Sequence, residues 1–356
     1  MTHTVSFPGL GLEFEINRVA FSLGSIDIYW YAIIIAVGFC LALWFIFKNV
    51  KKFGIDGDRA IDVIFFAMIF GIIGARLYFV AFQWENYAGN LAEIFNIRGG
   101  GLGFYGGIIG GIIGIWLGCK IRKVPFWPFM DMAAAAVLIG QGLGRWGNFV
   151  NGECFGCNTS LPWGMTGDNI VGYILTHSSD EMGFAMDPTV PVHPTFFYES
   201  LWCAIGFGVY LFLMKRRRFD GEMFLFYIGW NGFGRMIIEG LRTDSLMLGS
   251  FRVSQLLGGL MAASALVIWL VIRSRIKREN DPSYMMLWRD TEVGKLQAEG
   301  KWDYSKNAPK EEPAAEPSNE KTAVPAESDS QEHAENSTAQ EAESAPENEA
   351  EESPNE

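Results

Sequence analysis

Two stretches of this sequence set guanidinium, carboxamide and carboxylate groups at helical spacing inside otherwise apolar surroundings. The first, GQGLGRWGNFVNGE, places Arg145 and Asn148 three residues apart on one helical face, with Asn151 and Glu153 just beyond. The second, GWNGFGRMIIEGLRTD, spaces Arg235, Glu239 and Arg242 so that they also share a face. Arg76 lies in a third apolar stretch, and His193, Pro194, Tyr198 and Glu199 open a fourth. An arginine at mid-bilayer costs roughly 2.5 to 3.5 kcal/mol on insertion scales, so each one requires a partner or an aqueous cavity. A single buried arginine is explained equally well by an ion pair that locks helices, Arg235 with Glu239 for example. Three of them on three helices leave an excess of positive charge, which points to an anionic ligand. Guanidinium suits phosphate because it is always charged and binds in a bidentate fork. The abundant anion of a bilayer is a phospholipid headgroup.

The elements that must hold these groups follow from hydropathy. Of the 356 residues, those up to Arg278 carry 22 Lys and Arg against 19 Asp and Glu, whereas those after it carry 6 against 21. The first part is broken into apolar stretches of about 20 residues, the length that crosses a bilayer as a helix, and this excludes a soluble enzyme. Spans are predicted near 26–47, 60–82, 101–119, 127–147, 195–214, 222–240 and 252–272, giving an all-α polytopic membrane protein of seven helices over residues 1–278. The connections after the first, third and fifth spans carry Lys48, Lys51, Lys52 and Arg59, then Lys120, Arg122 and Lys123, then Lys215 to Arg218. The loop from Asn151 to Pro194 has no Lys or Arg. The positive-inside rule therefore puts the N-terminus and that loop outside, and the cluster Arg273, Arg275, Lys277 and Arg278 inside. Residues 1–25 lack the pattern of a cleavable signal peptide. Residues 279–306 read as a juxtamembrane linker in which Tyr284 to Trp288 form either an interfacial anchor or unstructured chain, and 307–356 as a disordered acidic tail.

Other chemistries find less support. No basic stripe exists for nucleic acid, and the run GGGLGFYGG lacks the GK[ST] of a phosphate-binding loop. Its two interleaved rows, Gly103, Gly107, Gly111 and Gly106, Gly110, Gly114, Gly118, instead suit close helix packing. Cys154 and Cys157 form a CxxC with no second ligand pair, which leaves a local disulfide or two free thiols. No metal or other cofactor is expected.

GRWGNFVNGE, together with IYWYA, GFYGG, HPTFFYE and GRMIIEGLRTD in order over roughly residues 5–275, resembles the bacterial prolipoprotein diacylglyceryl transferases. The resemblance implies a multi-pass protein of the bacterial plasma membrane. It implies transfer of a diacylglyceryl group from phosphatidylglycerol to the lipobox cysteine thiol of a prolipoprotein at the outer leaflet. Arg145 and Asn148 match headgroup-binding positions, Glu153 the signature carboxylate, Arg235 a second essential arginine, and Tyr31 the tyrosine of the first span. Glu239 and Arg242 match a further polar pair, and Asn151, Gly156 and His193 are taken as additional substrate-binding positions. Many members carry His where this chain has Tyr105, so Tyr105 enters the catalytic set either as a positioning hydroxyl or as a base.

These residue types fit the reaction. A thiolate attacks glycerol C3 and an acidic phosphate ester leaves, so the main requirement is preorganised positive charge at the leaving phosphate. Arg145 and Arg235 meet it, and the substrate brings its own nucleophile. A transporter of an anionic lipid or other anion is the alternative, although the repeated halves with paired broken helices that such folds show are not visible.

Overall fold

The computed structural model describes residues 2–310 apart from 25, 90, 97–99, 183, 244–246 and 249–250. The acidic tail expected from 307 thus lies, from 311 onward, outside the described residues. Seven long helices stand among those described: α1 Trp30–Asn49, α2 Gly57–Phe82, α3 Phe104–Arg122, α4 Phe126–Asn151, α5 Thr195–Met214, α6 Glu222–Ile238 and α7 Val253–Glu279. Six of them are long and apolar enough to cross a membrane, and the chain is a polytopic membrane protein. The exception is α6, at 17 residues.

The protein is mostly helical rather than all-α. β1 Thr2–Phe7 and β2 Leu12–Asn17 form an antiparallel hairpin, and β5 Thr166–Gly167 adds to the free edge of β1. β3 Val19–Leu23 pairs with β4 Ile26–Tyr29. The reason is a period of two in place of 3.6: LEFEIN and IDIY alternate apolar and polar residues. For the same reason α1 starts at Trp30, four residues later than the apolar stretch suggests.

α2 and α3 form a tight hairpin through one of the two glycine rows. A Cβ on Gly106, Gly110 or Gly114 would lie 2.1–2.4 Å from the backbone oxygens of Gly74, Phe70 and Phe66 respectively, or from the Tyr78 side chain, whereas Gly107 and Gly111 have ordinary clearance. Backbone-to-backbone approach is what a row of small residues permits.

The basic connections gather at one end of the bundle. There Arg59 donates to the Arg122 carbonyl, Arg122 pairs with Asp62 at 2.6 Å, and Arg217 donates to the Lys52 carbonyl. Residues 281–310 fold onto this end. Trp288 donates its backbone N–H to Asp220 and its indole N–H to the Gly54 carbonyl, while Tyr304 lies 3.2 Å beneath the Arg59 guanidinium. At this same end Asp131, fully buried in α4, caps α6 by accepting the N–H groups of Gly221 and Phe224 at 2.9 Å each. That cap fixes the register with which α6 delivers its polar residues to the far end.

Candidate active site

At the end opposite the basic connections, α4, α5, α6 and the 3-10 turn that follows α6 bring three arginines to one carboxylate. Arg145 NH2 lies 2.6 Å from Glu199 Oε2, Arg242 NH1 lies 2.8 Å from Oε1, and Arg235 NH1 lies 3.7 Å from Oε1. Arg235 also pairs with Glu239 at 3.2 Å, the helical neighbour its spacing suggested. Glu199 is buried in the second turn of α5. The sequence reading noted its position but gave it no role. A buried carboxylate needs compensating charge, and that requirement, in a sequence with arginines in several apolar spans, was the available signal.

Two devices hold the hub. Trp202 and Trp230 stack at 4.2 Å between α5 and α6, and each indole N–H donates to the other's backbone carbonyl at 3.0 Å. Gly206 and Gly234 make room for these rings. On the loop side, Gly156 donates its N–H to the His193 carbonyl and bridges to Arg242, where a Cβ would meet the Leu241 oxygen at 2.7 Å. Arg242 thereby reaches both Glu199 and, at 3.5 Å, the Cys154 sulfur.

Beside the hub lies a cavity of about 190 Å³ between α3 and α7, lined by Tyr105, Gln141, Arg145, Glu199, Arg235 and Leu257 among others. Arg145 and Arg235 are 24% and 32% exposed, whereas Arg242 is only 8% exposed, so the first two present N–H groups to the cavity and the third braces Glu199 from behind. Tyr105 stands at the start of α3, half exposed, and its hydroxyl makes no hydrogen bond with the described residues.

The remaining positions singled out from sequence divide. Asn148 accepts from Arg145 at 3.4 Å, close to the limit for such a bond. Tyr31 packs its ring on Gly147 of α4. Asn151 acts through its carbonyl, which receives Arg18 at 2.6 Å and Asn169 at 3.1 Å. Glu153 is exposed and lines a separate small cavity with Cys154, Asn169 and Tyr173, outside the arginine cavity. His193 faces the Tyr198 hydroxyl at 3.1 Å, and burial holds its pKa below the ordinary 6.5. Cys157 is a free thiol, pushed up in pKa by burial, and the Cys154 sulfur accepts from Arg242. Arg76 departs from the expected charge cluster: it spends its guanidinium on the carbonyls of Glu93, Ile94, Gly100 and Gly101. The third cluster arginine is Arg242 instead.

This arrangement coincides with a strong likeness in sequence. The family model for prolipoprotein diacylglyceryl transferase matches residues 18–271. The chain belongs to this family. A phosphatidylglycerol–prolipoprotein diacylglyceryl transferase of Bacillus cereus is 40% identical over 268 residues, covering 75% of this chain and 96% of the relative. Those of Enterococcus faecalis and Clostridioides difficile are 41% and 40% identical over 262 and 255 residues, covering 91% and 94% of their own lengths. Within the transferase match fall all three arginines, both carboxylates and Tyr105, while residues 281–310 lie beyond it.

Proposed function

We propose that this chain transfers the diacylglyceryl group of phosphatidylglycerol to the lipobox cysteine of prolipoproteins, at the outer leaflet of the bacterial plasma membrane. In this reading α6 is the seventh span, the N-terminus is outside, and the end bearing Lys48, Arg122 and Arg217 is cytoplasmic, as the charge asymmetry of the loops favours.

The observation that carries the assignment is the pair Arg145 and Arg235, which present guanidinium N–H groups to a cavity sunk among apolar helices at the end away from the basic loops. The phosphodiester of phosphatidylglycerol would sit against them. The substrate thiolate forms the S–C3 bond, the C3–O bond breaks, and its electron pair goes to the phosphate oxygen. Charge thus grows on the leaving group where the guanidiniums already point, so they stabilise the transition state more than the ground state. The apolar walls keep the local dielectric low and water out, which strengthens this effect. Tyr105, at the cavity mouth, supplies a hydroxyl toward the lipid. Arg242, Gly156 and His193 shape the loop side, and Asn148 steadies Arg145.

The test is direct. Purified protein in phosphatidylglycerol vesicles should convert a lipobox peptide to its diacylglyceryl thioether, and vesicles of phosphatidylcholine alone should give no product. Conversion that does not depend on phosphatidylglycerol would reject the assignment.

A further inference from the structure

Glu199 lies on the wall of the very cavity in which an anion is to be bound, and a carboxylate there opposes that binding. It touches all three arginines, through Oε2 at 2.6 Å and Oε1 at 2.8 and 3.7 Å. Among the described residues Glu199 is thus shared by three guanidiniums, and Arg235 meets Glu239 as well. Arg252 adds a fourth guanidinium beside them: it donates to the carbonyls of Glu239 and Arg242 and lies over the Phe184 ring at 4.5 Å.

A carboxylate that offsets part of this positive charge has chemical meaning under the transferase reading, on which this inference rests. The substrate is a phosphodiester with one negative charge. The departing glycerol phosphate is a monoester, and a monoester with a second pKa near 6 carries about −1.5 to −2 at neutral pH. The thiol proton goes to water or to that leaving phosphate, and the remaining atoms balance across the S–C3 and C3–O bonds. Without the Glu199 charge the cluster would be one unit more positive and would hold the more highly charged product better than the substrate, so that release would slow turnover.

We propose that Glu199 is a positioning residue and internal counter-charge, which aims Arg145 and Arg235 into the cavity and offsets part of the cluster's positive charge, so that the phosphomonoester leaves. Arg242, buried behind Glu199, keeps the carboxylate in place. Glu199→Gln retains size and one acceptor oxygen but removes the charge.

The experiment measures initial rates on a lipobox peptide in mixed micelles of phosphatidylglycerol, with glycerol 1-phosphate added as inhibitor. For Glu199→Gln the KM for phosphatidylglycerol should be unchanged or lower, kcat reduced, and the inhibition constant of glycerol 1-phosphate at least tenfold tighter. Glu199→Asp should restore the wild-type inhibition constant. A purely structural glutamate would lower kcat without tightening product inhibition, so an inhibition constant within twofold of wild type overturns the proposal. Should Glu199→Gln not fold or not turn over, the wild-type protein decides: its inhibition by glycerol 1-phosphate should change less than threefold between pH 5 and pH 7.5, as the second phosphate charge appears. A tenfold tightening over that range overturns the proposal as well. Wild-type protein that modifies no peptide would instead sink the transferase reading, which separates the two failures.

Discussion

Trp202 on α5 and Trp230 on α6 hold each other: their rings stack 4.2 Å apart at 15°, and each indole N–H donates to the backbone carbonyl of the other. The pair lies one turn inward from Glu199 and one turn before Arg235, so it sets the distance between the carboxylate and the arginine. Buried indole N–H groups need partners, and here the partner is the neighbouring helix itself. Gly234 is the weak point, because a Cβ there would lie 2.3 Å from the Trp202 indole nitrogen. Gly234→Ala should displace that ring and cost about 1–3 kcal/mol, the usual range for overpacking. A lower thermal midpoint together with reduced turnover is the expected result, and an unchanged midpoint would mean that the interface gives way freely.

The arginines on the cavity wall should be sensitive to geometry as well as charge. Lys keeps the charge but loses the planar fork. Charge-assisted hydrogen bonds contribute about 1.5–3 kcal/mol, so Arg145→Lys and Arg235→Lys should each lower kcat/KM roughly 10- to 100-fold, while the thermal midpoint changes little. Near-normal turnover in either variant would reduce that arginine to a helix-pairing role.

Much of this was legible in the linear sequence, and what was not has a common cause. Long apolar stretches announce helices whatever they pack against, and the spacing of Arg235 and Glu239 pairs them by local geometry alone, whereas α6 ends at Ile238 and Arg242 stands extended past a 3-10 turn rather than on the same helical face. The strands were hidden because residues 2–29 are short alternating runs beside a strong apolar helix. Glu199, Asp131 and the tryptophan pair were hidden because their roles are set by partners 28 to 93 residues away. Nothing in the local pattern around Asp131 says that it caps α6. Arg76 misled for the same reason, since backbone carbonyls rather than an anion complete its shell.

The segment after α7 offers a test of what lies past the family match. Leu287, Gln297 and Trp302 are buried, and Gly54 has room for the chain only because a Cβ would sit 2.7 Å from the Arg289 Cα. Ending the chain after Lys310 should leave thermal midpoint and turnover unaltered. Ending it after Asn280 removes Trp288 from Gly54 and Asp220 and uncovers apolar surface, at about 1.5–3 kcal/mol for each large side chain exposed. The shorter protein should melt several degrees lower. Equal midpoints for the two truncations would show that residues 281–310 contribute nothing to the bundle.

His193 gives a pH dependence with a definite sign. Burial lowers its pKa below 6.5 in the native protein, so between that lowered value and 6.5 the unfolded chain binds a proton that the native chain does not. Stability therefore falls as the pH drops through 6.5 and stops falling below the native value. The thermal midpoint of the wild type should decline between pH 7.5 and pH 5 by more than that of His193→Gln. Identical declines would assign the acid sensitivity to other groups.

Tyr105 is the remaining mechanistic question. Its hydroxyl stands at the cavity mouth without a hydrogen-bond partner among the described residues. That placement suits contact with the lipid better than proton abstraction. Glu153 is a weak rival as base, because it lines a different cavity, and the arginines can acidify an incoming thiol on their own. Tyr105→Phe should therefore lower turnover about 3- to 10-fold, the size of one neutral hydrogen bond, with no change in the shape of the pH–rate profile. Tyr105→His should remain active, because the half-exposed start of α3 has room for an imidazole, and should add an ionisation near pH 6.5 to that profile. If Tyr105→Phe instead flattened the alkaline limb of the wild-type profile, the phenol would be the group that takes the thiol proton. A rate and profile identical to wild type would remove Tyr105 from the mechanism, leaving the guanidiniums of Arg145 and Arg235 to account for thiolate formation as well as phosphate departure.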